Sequence, residues 1–404
     1  KKRMFRIIQG DVGSGKTIIS LIAAANVIES GYQCAFMGPT EILAKQHYKL
    51  AKNIFKKKNL NIEFLTGKTD YKIKRKIYEG LSNGKIDILV GTHALFQKKI
   101  LFKKLGLIII DEQHKFGVKQ RSDFAKKGGK NCDVLVMSAT PIPRTMMMAL
   151  YGDMDISKLR EKPYGRKKII TLSKPENKIN ELWPFMKKQI DLEKQIFWVC
   201  PLIAESSILN YSSAEKRFYL LKEKFPNKVG LIHGALEKNE KEKVLNKFLN
   251  KEISILVSTT VIEVGIDFPN ANLIVIDNAN KFGLAQLHQL RGRVGRGNSQ
   301  GTCVLLFKKD LSKNAVKRIK ILKDSDDGFF IAEKDLELRG FGDLTGYQQS
   351  GIKNFRFADP IIHKDLFESA ENHSINISNS VNHKKYRFLL KLFDRAEIIN
   401  TEEI

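Results

Sequence analysis

Short apolar runs alternate with amphipathic segments along the first 150 residues of the chain. The runs consist largely of Val, Ile and Leu with few polar interruptions, which is typical of strands buried on both faces of a parallel sheet. The segments between them repeat their apolar positions every three or four residues and so predict covering helices. We therefore predict an α/β domain with strands at residues 6–9, 34–37, 62–65, 86–90, 107–110 and 134–137, and with helices at 16–30 and 41–55.

A second alternating series follows a loop-like stretch at residues 151–174, which contains Gly152, Pro163 and Gly165 and favours a linker. It predicts another parallel α/β domain, with strands at 196–200, 229–232, 255–257, 273–276 and 302–307. A helix at 331–339 then leads into a loop punctuated by Gly340, Gly342, Gly346 and Gly351. The predicted bounds are a first domain at 1–158, a linker at 159–175, a second domain at 176–323, a C-terminal extension at 324–351 and a polar tail of unassigned fold at 352–404.

The chain is strongly basic, with 70 Lys and Arg residues against 44 Asp and Glu residues and a formal net charge of +26. Such an excess favours a polyanionic partner, for which nucleic acid is the main candidate. The alternative is compositional drift, since a sequence rich in Lys, Ile and Asn is what AT-rich coding produces. Charge alone favours nucleic acid without deciding the question.

The cysteines and the apolar runs indicate the cellular compartment in which the protein is expected to work. Each of the four cysteines lies in or beside an apolar run, and no spacing among them suggests a metal site or a disulfide framework, so we predict buried, reduced thiols (Cys34, Cys132, Cys200 and Cys303). The longest apolar runs, such as 105–110, are too short to span a bilayer, and the opening residues do not resemble a signal peptide. The sequence therefore predicts a cytoplasmic protein without a membrane partner. Because the first strand starts within a few residues of Lys1, we also expect further sequence upstream.

A phosphate-binding loop of the pattern G-x4-G-K-[ST] follows the first predicted strand and opens the first predicted helix. Its glycines allow backbone N–H groups to turn inward toward phosphate oxygens. Lys16 is expected to reach the terminal phosphates and the Thr17 hydroxyl to bind Mg²⁺. A chance glycine-rich turn is the alternative, which the strand and helix on either side disfavour. The loop residues are Gly10, Asp11, Val12, Gly13, Ser14, Gly15, Lys16 and Thr17.

Two carboxylates, Asp111 and Glu112, end the buried strand at 107–110. Parallel sheets gather ligands at the carboxyl ends of their strands. Asp111 is expected to hold Mg²⁺, and Glu112 to act as the general base for an attacking water. Acidic residues often end strands, so the pair means little alone, but together with the phosphate loop it defines a nucleoside triphosphatase site.

Ser138 and Thr140 follow the next strand and are candidates for coupling His114 and Glu112 to movements of the second domain, although a plain exit from the strand explains them equally well. In the second domain, glycines at 292 and 295 flank Arg293 and precede Arg296. These arginines are candidate fingers on the γ-phosphate. A basic nucleic-acid-binding loop is the alternative.

The segment at 259–267 ends another strand of the second domain. Its Thr hydroxyls and backbone N–H groups are candidates for gripping nucleic-acid phosphates, and Asp267 for contacting the nucleotide ribose. On its residues alone the segment is no more than a strand followed by a turn.

Taken together and in order, these motifs resemble those of superfamily 2 helicases, and the match spans residues 3 to about 351. Besides the segments above, it includes Pro-Thr-Glu at 39–41, Thr-Gly at 66–67, Gly-Thr-His at 91–93 and the Asp-Glu-Gln-His box at 111–114. The stretches at 9–17, 111–118, 139–145 and 282–296 resemble the RecG family of branched-DNA helicases. Transcription-repair coupling factors share much of this pattern, including 335–346, but typically carry Phe where Ser14 stands and Glu where Gln113 stands.

The resemblance implies two tandem RecA-like domains with parallel sheets, which clamp ATP and Mg²⁺ between them, followed by a helical-hairpin and loop extension. It implies that Gln289, Arg293 and Arg296 complete the catalytic site, and that His114, Gly265 and Asp267 join the ATP site. Backbone phosphates of DNA are then contacted by four threonines (Thr40, Thr66, Thr92 and Thr260). The extension is implied to couple domain closure to translocation through Arg339, Gln348 and Gln349; an amphipathic helix that closes the second domain is the alternative.

The expected function is an ATP-dependent helicase or translocase acting on branched double-stranded DNA, such as replication forks and Holliday junctions, in recombination and repair. We expect a monomer, with single-stranded DNA-binding protein as a further candidate partner. Three alternatives stay open: the motor of a transcription-repair coupling factor, an RNA helicase and a non-enzymatic DNA-binding module. The wedge domain and the adenine-binding segment that the resemblance implies are not found in these 404 residues.

Overall fold

The structure is a computed structural model. It describes residues 3–97, 99–112, 132–141, 154–161, 163, 167–201, 207–259, 268, 270–295, 299–308 and 311–344, with a few isolated positions between 363 and 373.

The first part of the chain folds around a seven-stranded parallel sheet of order β3-β4-β2-β5-β6-β1-β7. Polar residues in its strands lie mainly near the strand ends and on the edge strands β3 and β7, and apolar side chains from alternate positions build a separate core on each face. We call this unit the N-lobe. Its strands are β1 Phe5–Gly10, β2 Gln33–Met37, β3 Ile62–Leu65, β4 Ile88–Gly91, β5 Leu105–Asp111, β6 Asp133–Ser138 and β7 Asp155–Leu159, and its described helices are α1 Lys16–Glu29, α2 Glu41–Ile54 and α3 Tyr71–Ser82.

The second part, which we call the C-lobe, has a six-stranded parallel sheet of order β10-β11-β9-β12-β13-β8. Its two cores likewise lie on opposite faces, one around Phe197 and Phe248 and the other around Trp198. The strands are β8 Ile170–Pro175, β9 Gln195–Val199, β10 Val229–Ile232, β11 Ile255–Ser258, β12 Ala271–Ile276 and β13 Thr302–Phe307. The described helices are α4 Trp183–Asp191, α5 Ser207–Lys224, α6 Lys238–Leu249, α7 Leu284–Arg291, α8 Lys313–Asp324 and α9 Gly328–Leu344.

The loop predicted at residues 151–174 is wrong where β7 and β8 lie. Strand β7 pairs in parallel with β1, and β8 pairs in parallel with β13, so each is an edge strand of its own sheet. Arg6 of β1 donates hydrogen bonds to Ser157 Oγ at 2.8 Å and to Asp155 Oδ2 at 3.2 Å, which fastens β7 to its neighbour. Edge strands carry polar residues and lack the continuous apolar pattern that reveals central strands. The domain bounds themselves remain predictions.

The loop predicted from Gly340 onward is also wrong in part, since α9 continues through Gly340 and Gly342 to Leu344. Glycine in a helix costs about 1 kcal/mol relative to alanine, a penalty that tertiary packing can offset. The first half of α9 buries Ile331, Asp335 and Leu336 against the C-lobe. That packing holds the helix in place beyond the point at which its sequence alone predicts an end.

All four cysteines are buried and none is in a disulfide, as the sequence predicts. Burial raises the pKa of the Cys132 and Cys303 thiols to about 12, so they stay protonated at neutral pH. Among the described residues, no helix is long and apolar enough to cross a membrane.

Candidate functional site: a phosphate loop between two lobes

The phosphate loop connects β1 to α1 at the carboxyl edge of the N-lobe sheet. Gly13 and Gly15 have φ angles of 78° and 93°, a left-handed conformation that glycine adopts without strain. The Ser14 N–H donates to Asp11 O at 3.1 Å, and α1 begins directly after Gly15. The loop therefore curls around the amino terminus of α1, where unpaired N–H groups and the helix dipole favour an anion.

Lys16 is buried, with 8% of its surface exposed. Its Nζ donates to Gly10 O at 2.7 Å and to Asp11 O at 2.8 Å, so the ammonium is held against the inner wall of the loop. Thr17 follows as the second residue of α1. The arrangement sets a fixed positive charge and a hydroxyl side by side at the place where the loop would receive phosphate oxygens.

Asp111 and Glu112 stand at the carboxyl end of β5, which is separated from β1 by one strand, β6. Neighbouring strands lie about 4.8 Å apart, so the two carboxylates and the phosphate loop share one stretch of sheet edge. Glu112 has φ 52°. A non-glycine residue in the left-handed region costs on the order of 1–3 kcal/mol and is found disproportionately at functional sites.

The strand between them, β6, ends in a compact hydroxyl turn. The Ser138 Oγ donates to Thr140 O at 2.8 Å and lies 3.1 Å from Thr140 Oγ1. Both hydroxyls thus lie between the phosphate loop and the two carboxylates. Their predicted coupling role is compatible with this position and stays a prediction.

A buried relay of side chains joins the phosphate loop to the C-lobe. The His288 Nε2 lies 3.1 Å from Asp11 Oδ1, and the Arg291 Nη2 lies 2.9 Å from His288 Nδ1. A guanidinium can only donate, so His288 Nδ1 is the acceptor and the proton of the neutral ring is on Nε2, from which it is donated to Asp11. We call these three residues the interlobe relay.

The far end of the interlobe relay is anchored in the junction between α8 and α9. The Arg291 Nη1 donates to Leu322 O at 2.6 Å and to Ser325 O at 2.8 Å. Burial lowers the pKa of Arg291, and these carbonyls supply acceptors in place of water. At the other end of α7, the Leu284 N–H donates to Asp335 of α9 at 3.2 Å. Helix α7 is therefore held at both ends by the C-terminal helices.

The sequence did not identify His288 and Arg291 as site residues. The prediction rested on the neighbouring glycines and therefore chose Arg293 and Arg296. The available indication was helical spacing: positions 288 and 291 are three residues apart and so share a face of α7. Arg293 is buried, and the residue before it, Gly292, packs closely on the phosphate loop, since a Cβ there would lie 3.0 Å from Val12 Cβ. Gln289 is half-buried on α7. The finger and catalytic roles of Arg293 and Gln289 remain predictions.

Several predicted site residues lie outside the described residues: His114, Thr260, Gly265, Asp267, Arg296, Gln348 and Gln349. Arg339 lies in α9, and its side chain is outside the description as well.

Three predicted DNA contacts come together at one sheet edge. Thr40, Thr66 and Thr92 follow β2, β3 and β4, which are neighbours in the sheet. The Thr40 hydroxyl caps α2 by accepting from Leu43 N at 3.3 Å, and the Thr66 hydroxyl accepts from Lys68 N at 3.3 Å. The Thr92 side chain is buried. The edge is shared as expected, while the contacts with DNA stay a prediction.

Gly328 opens α9 directly over the interlobe relay. A Cβ at this position would lie 1.8 Å from Asp11 Oδ1 and 2.7 Å from His288 Nε2. Close approach, and not an unusual backbone angle, therefore requires glycine here. Next to it, the Phe329 ring is 5.6 Å from Lys158 Nζ and 6.0 Å from the Arg160 guanidinium carbon, so the start of α9 touches the N-lobe at two places.

We expect Gly328→Ala to displace the Asp11 carboxylate and break its hydrogen bond to His288. An error of about 1 Å in a catalytic assembly can cost on the order of 100-fold in rate, so we expect nucleic-acid-stimulated ATP hydrolysis to fall about tenfold or more. Fluorescence energy transfer between labels on the two lobes should show a longer distance. In an Asp11→Ala background, which removes the closer of the two clashes, the same glycine substitution should cost less than in the wild-type chain, and an equal loss in both backgrounds would contradict the clash with Asp11.

These features are those of a two-lobe protein of the phosphate-loop class, with a phosphate loop and a carboxylate pair in one RecA-like domain and a second RecA-like domain packed against it. Residues 2–149 match the DEAD/DEAH box helicase family, residues 183–298 the helicase conserved C-terminal domain, and residues 325–385 the family described as ATP-dependent DNA helicase RecG, domain 3, C-terminal. The chain belongs to the RecG family. The family and the fold class expected from the sequence are thus confirmed.

Curated relatives support the assignment. The chain is 50% identical to ATP-dependent DNA helicase RecG of Thermotoga maritima over 368 residues, which cover 91% of the chain and 47% of that protein. The RecG protein of Bacillus subtilis is 45% identical over 93% of the chain and 55% of its own length. That of Escherichia coli K12 is 46% identical over 88% of the chain and 52% of its own length. The chain spans about half the length of the curated relatives it matches.

A solved structure of RecG bound to a three-way DNA junction superimposes with a TM-score of 0.75 and 44% sequence identity, covering 91% of the chain and 48% of that protein. The structure of S. cerevisiae Dbp5 bound to RNA and ADP BeF3 has a TM-score of 0.59 at 17% identity over 83% of the chain, a likeness of fold alone.

Proposed function

We propose that this chain is the ATP-driven motor of a DNA helicase or translocase that acts on branched double-stranded DNA. The observation that carries the proposal is the contact between the phosphate loop and helix α7. His288 hydrogen-bonds Asp11 of the loop, and Gly292 packs on Val12, so the phosphate loop of one lobe lies against the segment of the other lobe that carries Arg293, a predicted arginine finger. A site split between two lobes can convert the chemical state of a nucleotide into a change of lobe position.

The proposed ATP site fits the residues present. The curled loop offers N–H groups and the Lys16 ammonium to the phosphates, and the Thr17 hydroxyl and the Asp111 carboxylate would hold Mg²⁺. Among the described residues no cluster of three or more His, Cys, Asp or Glu side chains could hold a metal ion. This agrees with Mg²⁺, which is usually held by one or two protein groups together with phosphates and water. The ion would neutralise charge that develops on the β- and γ-phosphate oxygens.

In the proposed hydrolysis step Glu112 accepts a proton from the attacking water as the water oxygen bonds to the γ-phosphorus. The bond from the γ-phosphorus to the bridging oxygen breaks, and ADP leaves. Arg293, with Arg296, would donate to the transferring phosphoryl group from the C-lobe, and Gln289 would help to position the water. The burial of Arg293 beside the loop-packing Gly292 supports this assignment.

DNA is proposed to lie along the edge that Thr40, Thr66 and Thr92 share, with Thr260 contacting it from the C-lobe. Such contacts with backbone phosphates carry no sequence information and suit a motor that moves along DNA. The net charge of +26 supports a polyanionic track. The preference for branched DNA comes from the RecG relatives, one of which is bound to a three-way junction. A monomer, and an interaction with single-stranded DNA-binding protein, belong to the same proposal.

The test is an ATPase assay of the full-length protein with forked DNA, linear duplex, single-stranded DNA and RNA compared side by side. We expect forked DNA to stimulate most and the stimulation to fall steeply as salt rises, because binding releases counterions. Greater stimulation by RNA would favour an RNA helicase, and no hydrolysis on any substrate would leave only a DNA-binding module. Of the alternatives, the coupling factor is disfavoured by the family match at residues 325–385.

A further inference from the structure

His47 is a buried histidine in the N-lobe that the proposed mechanism does not use. It lies on α2, and only 5% of its surface is exposed. The buried positions of α2 are Leu43, Ala44, His47 and Ala51, which lie on one face of the helix. His47 is the polar member of this set, and the other three are apolar. An apolar residue at 47 would complete the stripe without the cost of burying a polar ring. The histidine therefore needs a reason beyond packing.

Two contacts fix the ring. Its Nε2 lies 2.8 Å from Asp111 Oδ2 at the carboxyl end of β5, and the ring stacks on Phe36 of the adjacent strand β2 with centroids 4.6 Å apart and planes 22° from parallel. An ionised carboxylate can only accept, so Nε2–H donates to Asp111. The stacking on Phe36 sets the plane of the ring, and the hydrogen bond then sets the orientation of the carboxylate.

We propose that His47 is a positioning residue for Asp111: it engages Oδ2 and so presents Oδ1 to the hydration shell of the nucleotide-bound divalent cation. This inference rests on the proposed function, in which Asp111 serves that ion. Hydrogen bonds to metal-ligating carboxylates commonly set metal affinity, and their loss costs about 10–100-fold. His47 acts through Asp111 and touches neither substrate nor metal.

Helix α2 also connects Asp111 to the second lobe. Ile42, in the first turn of α2, packs on the C-lobe core around Phe197, while His47 lies five residues further along the same helix. Five residues correspond to about 7.5 Å of helix. A shift of the C-lobe against Ile42 therefore reaches the carboxylate through one short, rigid segment. The hydrogen bond from His47 to Asp111 is the last contact in this connection between the C-lobe and the carboxylate.

The test compares three substitutions in the full-length protein. His47→Phe keeps a ring that can stack on Phe36 and removes the donor. His47→Gln keeps a donor at a similar distance from the backbone. Tyr48→Phe is the matched control, because it removes one polar atom from the next residue of the same helix, whose ring packs on Phe64 away from Asp111. Binding of fluorescent ADP is measured across a Mn²⁺ titration and in EDTA, with Mn²⁺ binding followed by electron paramagnetic resonance.

We expect His47→Phe to weaken Mn²⁺ binding to the ADP complex about tenfold, while ADP affinity in EDTA stays unchanged. His47→Gln should retain most of the Mn²⁺ affinity, and Tyr48→Phe all of it. An equal loss of ADP affinity with and without metal, or no loss at all, would overturn the inference. If His47→Phe does not fold, His47→Met, with its flexible apolar side chain, gives the same comparison and the same criteria.

The same data separate this inference from the proposed function. A wild-type chain that binds no ADP, or binds it without any metal dependence, would contradict the nucleotide site itself. A wild-type chain with metal-dependent binding that His47→Phe leaves intact would contradict only the positioning role of His47.

Discussion

Substitution of Lys16 by alanine should reduce DNA-stimulated ATP hydrolysis by about 100-fold or more. In the structure the ammonium is buried against the loop carbonyls of Gly10 and Asp11, where it is the fixed positive charge available to the terminal phosphates. Preorganised charge in a site shielded from water contributes several kcal/mol to transition-state stabilisation, which corresponds to factors of this size. Steady-state phosphate release with forked DNA measures the effect.

Lys187→Ala is the matched control for this prediction, since Lys187 is exposed on α4 of the C-lobe and has no part in the site. It removes the same charge and should leave the rate within about twofold. ATP affinity should fall together with the rate in Lys16→Ala, because phosphate contacts serve ground-state binding as well. A Lys16→Ala protein that hydrolyses ATP at the wild-type rate would contradict the phosphate-loop assignment.

Glu112→Gln should lower the rate by a similar factor through a different step. The amide retains the size of the side chain but cannot accept the proton of the attacking water, and general bases contribute about 10²–10⁴-fold. ATP affinity, measured by fluorescent-analogue binding, should stay within about threefold of the wild-type value. The variant should consequently accumulate with ATP bound and the lobes closed.

The backbone at position 112 makes this comparison informative. Because φ is 52° there, substitutions that alter local conformational preference would also disturb the turn. Glutamine and glutamate have similar preferences, so Glu112→Gln isolates the proton-accepting role. Glu223→Gln, at an exposed position near the end of α5 in the C-lobe, controls for the loss of one negative charge. Equal losses of rate and of ATP affinity in Glu112→Gln would argue that Glu112 holds the nucleotide and does not activate water.

Most strands, including the edge strands β3 and β10, were predictable because their apolar side chains enter the cores on both faces of each sheet. Ile62–Leu65, Val229–Ile232 and Thr302–Phe307 have the predicted bounds, and the other predicted strands differ by at most two residues at either end. The phosphate loop and the carboxylate pair were predictable for a related reason. Binding phosphate and a divalent cation restricts the residue types, and the restriction is local in sequence.

What the sequence could not reveal depends on contacts between distant segments. The relay from Asp11 to His288 joins positions 277 residues apart, and glycine is needed at 328 because Asp11 and His288 both lie close to it. In the sequence, His47 is one polar residue on an apolar helix face. The structure shows its role through the 2.8 Å contact between His47 Nε2 and Asp111 Oδ2. The edge strands β7 and β8 were missed because polar residues interrupt their apolar pattern, at the exposed positions 155 and 158 of β7 and at the half-buried positions 171, 173 and 174 of β8.

The positions of β7 and β8 also limit how far the two lobes can separate. Strand β7 ends at Leu159 and β8 starts at Ile170, each at the rim of its own sheet, so ten residues, 160–169, tether the two lobes. A fully stretched chain of this length spans on the order of 35 Å. Whatever the distance between the lobes, the short tether keeps each lobe at a high effective concentration relative to the other. Re-association of the lobes is therefore intramolecular, and its rate does not depend on the protein concentration.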